Sequence, residues 1–381
     1  MNEMTRRGFL QATGAAGVFA AIGCFGKGAK DAFGEYSIAV LGDTHYDTEP
    51  ESFYHSHYDE SNKWAKVQHA EFRRNGEMWR DRCPRLVAAS GALAASRPTS
   101  CVLQLGDLVQ GDCDDVPTHK KMMADCIDKI CAAYPAGMPF LTVVGNHDFR
   151  GKGANEAYFD FAEPFMTDQI AKLGAKTHPA GWKAKYPAFS FRLGDDLWVF
   201  CHFETRNLDP ITDLIEADQT ARHVFLVTHG PFTPSPDPGF RWRLGGKKEC
   251  EAGRARLYET LSRRHAIVLS GHTHTTCYFR HENRFGGFAE MTVNSVWKDE
   301  RLATVEPIFD KVENFDVPAS GLSGDKLEEC RRTFALFKPG LKEYFYNAAA
   351  GHYRLNVSSG SVDVEFYPGA ARECARVFRM A

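Results

Sequence analysis

Five short runs of β-branched and aliphatic residues each end on an Asp, Asn or His, and this repetition restricts the possible folds more than any other feature. The runs are IAVLGDTH, VLQLGD, FLTVVGNHD, VFLVTHG and AIVLSGHTH, with polar ends at Asp43, His45, Asp107, Asn146, His229, His272 and His274. In open α/β sheets, ligands bind beyond the carboxyl ends of the strands. Strand ends that supply carboxylate, amide and imidazole groups together predict a metal centre.

The remainder of the chain favours a layered α/β fold, because strand-like runs alternate with amphipathic helical segments from Tyr36 onward. Hairpins are predicted at the turn Gly194-Asp195-Asp196 and around a Ser-Gly turn within residues 352–367. No internal repeat or low-complexity linker interrupts this pattern. We therefore expect one domain over residues 34–381, with a C-terminal extension from about residue 300.

Composition limits the classes of ligand. The chain has 381 residues, a 43% hydrophobic fraction that suffices for a full core, and a formal net charge of −3. That charge argues against nucleic-acid binding and against a polybasic membrane-surface protein, so a small substrate is expected. After residue 30 the sequence contains no apolar run of the roughly 18 residues that cross a bilayer.

The first 30 residues are interpreted as a targeting segment. Thr5-Arg6-Arg7-Gly8-Phe9-Leu10 resembles a twin-arginine export signal, and small residues before Cys24 resemble a lipoprotein processing site. An ordinary amphipathic leader is the alternative. The signal implies the twin-arginine translocation machinery as a partner, a periplasmic or cell-envelope location, and a membrane tether if Cys24 is lipidated.

Cysteine is abundant, with 11 residues in the chain. Ten remain without Cys24, an even number that an oxidising compartment could pair. Cys101 and Cys201 lie inside apolar strand-like runs, where buried thiols are expected. The prediction is a mixture of disulfides and buried thiols, and the absence of a CxxC pair argues against a structural zinc site built from cysteines.

The strand-end motifs resemble, in order, the signature blocks of the calcineurin-like metallophosphoesterases. The blocks are Asp43-x-His45, Gly106-Asp107, Gly145-Asn146-His147-Asp148, Thr228-His229 and Gly271-His272-x-His274. The resemblance covers roughly Tyr36 to Val296 and implies an α/β fold with a two-sheet sandwich flanked by helices, in four αββα layers. It also implies a metal-dependent phosphoesterase.

By the same resemblance, two divalent or trivalent transition-metal ions are expected. Asp43, His45, Asp107 and His274 would hold the first ion, and Asp107, Asn146, His229 and His272 the second. Asp107 would bridge the two ions, and a hydroxide shared between them would be the nucleophile. Carboxylate and imidazole ligands suit Mn, Fe, Zn and Co similarly, so the identity of the metal stays open.

His147 and Asp148 are the predicted catalytic residues outside the ligand set. His147 follows the ligand Asn146, so its imidazole would contact a phosphate oxygen or protonate the leaving group, unless it is a structural histidine. Asp148 would orient His147 or cap a loop. Gln110 stands three positions after Asp107, where purple acid phosphatases carry a ligating Tyr, which argues against that subgroup.

The leading functional hypothesis is hydrolysis of a phosphomonoester or phosphodiester. A diphosphate or phospholipid-headgroup hydrolase is the alternative enzyme, and a metal-binding module without turnover is the alternative from another class. Arg241 and Arg243, in an irregular Pro/Gly-rich loop over residues 231–248, are candidate substrate-binding residues, because guanidinium groups match phosphate. A polar insertion over residues 46–75, with His55, His57 and His69, is expected to be exposed beside the site.

Overall fold

Two mixed β-sheets form the centre of the fold in the computed structural model, which describes residues 34–48, 53–55, 65–178, 188–236, 242–304, 309–317 and 321–381. The first sheet has six strands in the order β14-β13-β12-β1-β2-β3. Its strands are β1 (Tyr36–Leu41), β2 (Cys101–Gln104), β3 (Phe140–Thr142), β12 (Gly351–Val357), β13 (Val362–Pro368) and β14 (Arg376–Arg379). β1, β2 and β3 run parallel, and the other pairs are antiparallel.

The second sheet has eight strands in the order β11-β9-β10-β8-β7-β6-β5-β4. They are β4 (Thr177–His178), β5 (Ala188–Leu193), β6 (Asp196–Cys201), β7 (Val224–Val227), β8 (Ile267–Ser270), β9 (Thr276–Asn283), β10 (Gly286–Thr292) and β11 (Leu341–Asn347). β6, β7, β8 and β10 are parallel neighbours. Parallel strands direct their carboxyl ends to one edge, which is the edge where the motifs begin.

Helices lie against both sheets. They are α1 (Ala65–Arg80), α2 (Arg82–Ser96), α3 (Val116–Cys131), α4 (Ala154–Lys172), α5 (Asp209–Ala217), α6 (Glu251–Arg263) and α7 (Gly324–Phe337). α2 contacts β1 and β12 and α4 contacts β3, whereas α5 packs on β5 and β6 and α6 packs on β10. The predicted α/β sandwich of two sheets flanked by helices is therefore confirmed.

Strand β7 shows why these runs are apolar throughout. Successive side chains of a strand point to opposite faces. Phe225 and Val227 belong to the core between the sheets, where Trp198 stacks on Phe225 at a centroid distance of 4.1 Å. Val224 and Leu226 belong to a second core beneath α5 and α6. A strand covered on both faces needs continuous hydrophobicity rather than alternation.

The strands after residue 300 complete both sheets. β12 pairs with β1 in the first sheet, and β11 pairs with β9 in the second. The Tyr353 hydroxyl accepts a hydrogen bond from the Asn294 amide at 3.0 Å and so ties β12 to the segment that follows β10. Gly34–Ala381 cluster as one compact unit. No helix among the described residues is long and apolar enough to cross a bilayer.

The expectation of an exposed polar insertion over residues 46–75 is wrong for the aromatic residues of its described part. Tyr46, Tyr54 and Phe72 are 2%, 4% and 0% exposed. His55 stacks on Phe72 at 3.8 Å between ring centroids, and its Nε2 lies 3.0 Å from an Asp47 oxygen. The segment is polar on average, but these aromatic rings are buried because the apolar side of α1 packs there.

No disulfide joins any two of the ten cysteines among the described residues, so the predicted disulfides are not formed there. The expected burial of Cys101 and Cys201 is confirmed, with 0% and 2% exposure. Burial raises the pKa of both thiols to about 12 and keeps them unreactive. Cys24 and the whole predicted targeting segment, residues 1–30, lie outside the described residues.

Candidate metal centre

The strand ends meet where the two sheets adjoin. β1, β2 and β3 of the first sheet lead into Asp43, His45, Asp107 and Asn146, and β7 and β8 of the second sheet lead into His229, His272 and His274. We call these seven residues the strand-end cluster. Asp43, His45 and His229 are 0% exposed and Asp107 is 1% exposed. Such burial of charged and imidazole groups requires compensating partners.

The backbone at the cluster is strained. Among the described non-glycine residues, positive φ angles occur at His45, Asp107, Asp112, His265, His272 and His274, so four of these six belong to the cluster. Such conformations cost about 1–3 kcal/mol each and concentrate at functional sites. The Asp107 carbonyl holds the turn after β1, since it accepts the amides of Thr44 at 3.0 Å and His45 at 2.8 Å.

Asp107 lies between the two halves of the cluster. Its Oδ2 is 3.2 Å from His229 Nε2 and 3.6 Å from His45 Nε2. Its Oδ1 accepts the His147 amide at 2.8 Å. A Cβ at Gly145 would come within 2.1 Å of Oδ1, so only glycine fits beside this carboxylate.

A hydrogen bond to the Leu105 carbonyl fixes the orientation of the His229 ring. Its Nδ1 lies 2.8 Å from the Leu105 oxygen, which can only accept, so Nδ1 donates and Nε2 faces the cluster. Nε2 is 3.2 Å from Asn146 Oδ1 and 3.0 Å from His272 Nδ1. Burial alone would lower the pKa of His229, but Asp107 and Asp43 outweigh it and raise this pKa to about 9.

His45 and His274 form the other half. Their Nε2 atoms are 2.9 Å apart, and His274 Nε2 lies 3.7 Å from Asp43 Oδ1. Donor atoms of Asp43, His45, Asp107 and His274 lie within 4.8 Å of one another, as do those of Asp107, His229 and His272. The two groups share Asp107 alone.

Burial sets the protonation of the other ligand candidates. It lowers the pKa of His45 and His274 well below the usual value and that of His272 to about 3, so these imidazoles are neutral. Burial, with the nearby Asp107 charge, raises the pKa of Asp43 to about 7. Neutral imidazoles and buried carboxylates are the states that bind a cation.

His147 lies beside the cluster, and its neutral form is favoured. Its Nδ1 donates to the Gln110 carbonyl at 3.0 Å, and its ring lies 4.4 Å from that of His45. Burial lowers its pKa, Arg150 lowers it further, and Asp107 acts in the opposite direction. The Asp148 carboxylate accepts the amides of Gly145 at 2.8 Å and Val109 at 3.1 Å. Within the described residues no hydrogen bond joins Asp148 to the His147 imidazole, so its contacts are those of a loop cap.

The predicted substrate residues are placed differently. Arg241 lies outside the described residues, as does His57. Arg243 is not brought to the cluster: its Nη2 lies 3.4 Å from Thr333 Oγ1 on α7. Burial and the neighbouring Arg254 lower the Arg243 pKa to about 10. Trp242, 65% exposed, has its ring 5.9 Å from that of His272 and is the part of this loop that reaches the site.

Sequence reasoning did not identify Arg150. Its Nη2 is 2.8 Å from Asp112 Oδ2 and 3.1 Å from Glu71 Oε2, and its Nη1 is 2.9 Å from His147 Nε2. The only available signal was its position two residues after the Gly145–Asp148 block. Nothing in the sequence indicated that Glu71, far along the chain on α1, would hold it there.

Comparison with protein families gives one match, a family model described as "Calcineurin-like phosphoesterase", over residues 36–276. A comparison with curated proteins found no match.

Solved structures with similar architecture include "GAP50 the anchor in the inner membrane complex of Plasmodium", with 12% identity, TM-score 0.47, and coverage of 91% of this chain and 88% of that chain. "Structure of PhoD" has 11% identity, TM-score 0.46, and coverage of 91% and 68%. A dimetal phosphatase from Danio rerio has 10% identity, TM-score 0.46, and coverage of 91% and 99%.

Proposed function

Because this chain belongs to the calcineurin-like phosphoesterase family, and is therefore a metal-dependent phosphoesterase, we propose that it hydrolyses a phosphomonoester or phosphodiester at two transition-metal ions held by the strand-end cluster. Asp43, His45, Asp107 and His274 would hold one ion. Asp107, Asn146, His229 and His272 would hold the other. Asp107 is the shared ligand in this assignment, since its oxygens lie between the two groups of donors.

The contacts of the two His229 ring nitrogens are the main support for this proposal. Nδ1 donates to Leu105, so the nitrogen that faces Asp107, Asn146 and His272 is Nε2. Asp107 and Asp43 raise the pKa of His229 to about 9, so they hold a proton at this nitrogen. Two carboxylates keep His229 protonated although burial disfavours its charge. A metal cation at this position would be more favourable than the proton, because it would neutralise both carboxylates and leave the imidazole neutral.

When bound, the ions supply activated water at neutral pH and neutralise charge on the phosphoryl oxygens. The chain's own residues have separate tasks. Asn146 Oδ1 and His229 Nε2 form one wall of the reaction site, at 3.2 Å from each other. Gln110 and Asp107 hold His147 beside the cluster. Because Nδ1 donates to Gln110, His147 would deliver a proton to the leaving oxygen after Nε2 has taken one up from water and given up its contact with Arg150 Nη1. Asp148 supports this arrangement by holding the Gly145 and Val109 amides.

Purified protein loaded with Mn²⁺ and supplied with an aryl phosphate and a bis-aryl phosphate tests the proposal. Release of the aryl alcohol, abolished by a chelator and restored by Mn²⁺, is the expected result. The identity of the resident metal is read by elemental analysis of protein isolated without added metal. Protein that binds two equivalents of metal but hydrolyses neither substrate would instead support a binding module.

We also propose that the protein is exported by the twin-arginine route to the periplasm or cell envelope, with a lipid tether at Cys24. The support is the Arg6-Arg7 motif and the small residues before Cys24. Replacement of both arginines by lysine should leave the protein in the cytoplasm, as read by cell fractionation. Cys24→Ser should release exported protein from the membrane fraction. Unchanged fractionation of both variants would contradict the proposal.

A further inference from the structure

Arg150 presents an unused hydrogen-bond donor beside the strand-end cluster. Nη2 donates to Glu71 Oε2 at 3.1 Å and forms an ion pair with Asp112 Oδ2 at 2.8 Å. The Nε hydrogen faces Asp112 at 3.4 Å. Nη1 has two hydrogens, and its described neighbours are the His147 ring nitrogens, at 3.0 Å from Nδ1 and 2.9 Å from Nε2.

One of the Nη1 hydrogens has no protein acceptor. His147 Nδ1 already donates to the Gln110 carbonyl, so only Nε2 can accept from Nη1. The second Nη1 hydrogen therefore has no partner among the described residues. The Arg150 side chain is 27% exposed, and its Nη1 lies against His147 beside the strand-end cluster.

Two other cations lie near the same side of the cluster. Lys298 acts electrostatically on His274 and Asp43, and Arg74 acts on His45 and His274. Neither forms an ion pair within the described residues, and Arg74 Nε donates to the neutral Asn75 Oδ1 at 3.0 Å. We call Arg74, Arg150 and Lys298 the cationic rim. Glu71 and Asp112 both pair with Arg150, so Arg74 and Lys298 have no ion-pair partner among the described residues.

We infer that Arg150 is a substrate-binding residue that donates to a phosphoryl oxygen and selects the dianionic phosphoryl group of a phosphomonoester over the monoanionic group of a phosphodiester. This inference rests on the proposed function and specifies its substrate class. Guanidinium hydrogen bonds to phosphate are charge-assisted and stronger than neutral ones, and Glu71 and Asp112 hold the group in place before substrate arrives. Arg74 and Lys298, which form no ion pair among the described residues, would attract the additional negative charge of a monoester.

Two substrates with the same leaving group test the selection directly. p-Nitrophenyl phosphate and methyl p-nitrophenyl phosphate differ by one methyl group and one negative charge. The Mn²⁺-loaded enzyme should have a higher kcat/KM for the monoester. Arg150→Gln should lower the monoester kcat/KM about 10- to 100-fold, the range expected for a lost charge-assisted hydrogen bond, with a few-fold change or less for the diester. Arg150→Lys should recover part of the loss.

Arg73→Gln is the matched control, because Arg73 lies next to Arg74 on α1 with an exposed side chain. It should leave both rate constants unchanged, and metal content should equal that of the wild type in every variant. Equal losses on the two esters in Arg150→Gln would overturn the inference, as would a wild-type preference for the diester.

Calorimetry with inorganic phosphate separates this inference from the proposed function. Metal-loaded wild type should bind phosphate about tenfold or more tightly than Arg150→Gln. If the wild type hydrolyses neither ester but shows this difference, the catalytic proposal fails and the Arg150 assignment stands. Equal phosphate affinities would overturn the Arg150 assignment. Tighter binding of inorganic diphosphate than of phosphate, lost in Arg150→Gln, would reassign the charge preference to a diphosphate ester.

Discussion

The strand-end cluster and the cationic rim meet at one site but are built differently. Five strands of two sheets carry the cluster, and backbone hydrogen bonds hold it, such as those from Thr44 and His45 to the Asp107 carbonyl. The rim comes from α1, the turn after β3 and the segment after β10, and side chains hold it, as Glu71 and Asp112 hold Arg150. Under the inference for Arg150, the sheets would carry the general phosphoester chemistry and the surrounding segments would select the substrate.

Substitution of Asp107, the proposed shared ligand, should have the largest effect of all the tests that separate the cluster from the rim. Asp107→Asn should reduce binding of both ions, because Asp107 lies between both groups of donors. Loss of an outer partner of a metal ligand costs about 10- to 100-fold, so loss of a shared ligand should lower activity by more than about a thousandfold. Elemental analysis and kcat/KM provide the measurements, with Asp160→Asn on the exposed side of α4 as the control. A variant with normal metal content would contradict the shared role.

The buried strand-end cluster should also destabilise the metal-free protein, whereas the exposed cationic rim should not. In the metal-free state burial and Asp107 raise the pKa of Asp43 from its ordinary value of 3.8 to about 7. A raised carboxyl pKa means that the folded state binds more protons, so stability is lost as the pH rises from about 4 to 7. Asp43→Asn should remove this loss, which amounts to about 4 kcal/mol for three pKa units.

Denaturant unfolding in chelator at pH 5 and pH 8 measures this effect. The metal-free variant should exceed the metal-free wild type in free energy of unfolding at pH 8, with a smaller difference at pH 5. Added metal should reverse the order at pH 8, because only the wild type retains the full ligand set. If the free energies of unfolding of the two metal-free proteins changed with pH in the same way, Asp43 would not be the source of this loss of stability.

His147 lies at the boundary between cluster and rim, because its amide contacts Asp107 and its ring contacts Arg150. His147→Gln should retain the metal ions and lower kcat about 100-fold or more, as expected for loss of a proton-transfer group. Asp148→Asn should differ: it weakens two backbone hydrogen bonds and should lower thermal stability more than it lowers kcat. Loss of metal from His147→Gln would place His147 among the ligands instead.

The two regions also differ in what the sequence revealed. The cluster could be predicted because each ligand candidate directly follows an apolar strand, so residue type and local position were sufficient. The break between α1 and α2 has a local signal in Pro84, because inside a continuous helix its ring would clash with the Arg80 carbonyl. Other features depend on contacts between distant segments. The pairing of β12 with β1 and the Glu71–Arg150 ion pair have no local signature.

Trp242 provides the smallest test, on the side of the cluster that bears His272. A 65% exposed indole with its ring 5.9 Å from a ligand candidate can stack on a planar leaving group. Aromatic pairs contribute about 0.5–1.5 kcal/mol beyond the burial of area, so Trp242→Ala should raise KM for an aryl phosphate about two- to tenfold. KM for methyl phosphate should not change, because this ester has no ring, and Trp242→Phe should retain most of the aryl affinity. Equal increases for both esters would mean that Trp242 shapes the loop rather than contacting the leaving group.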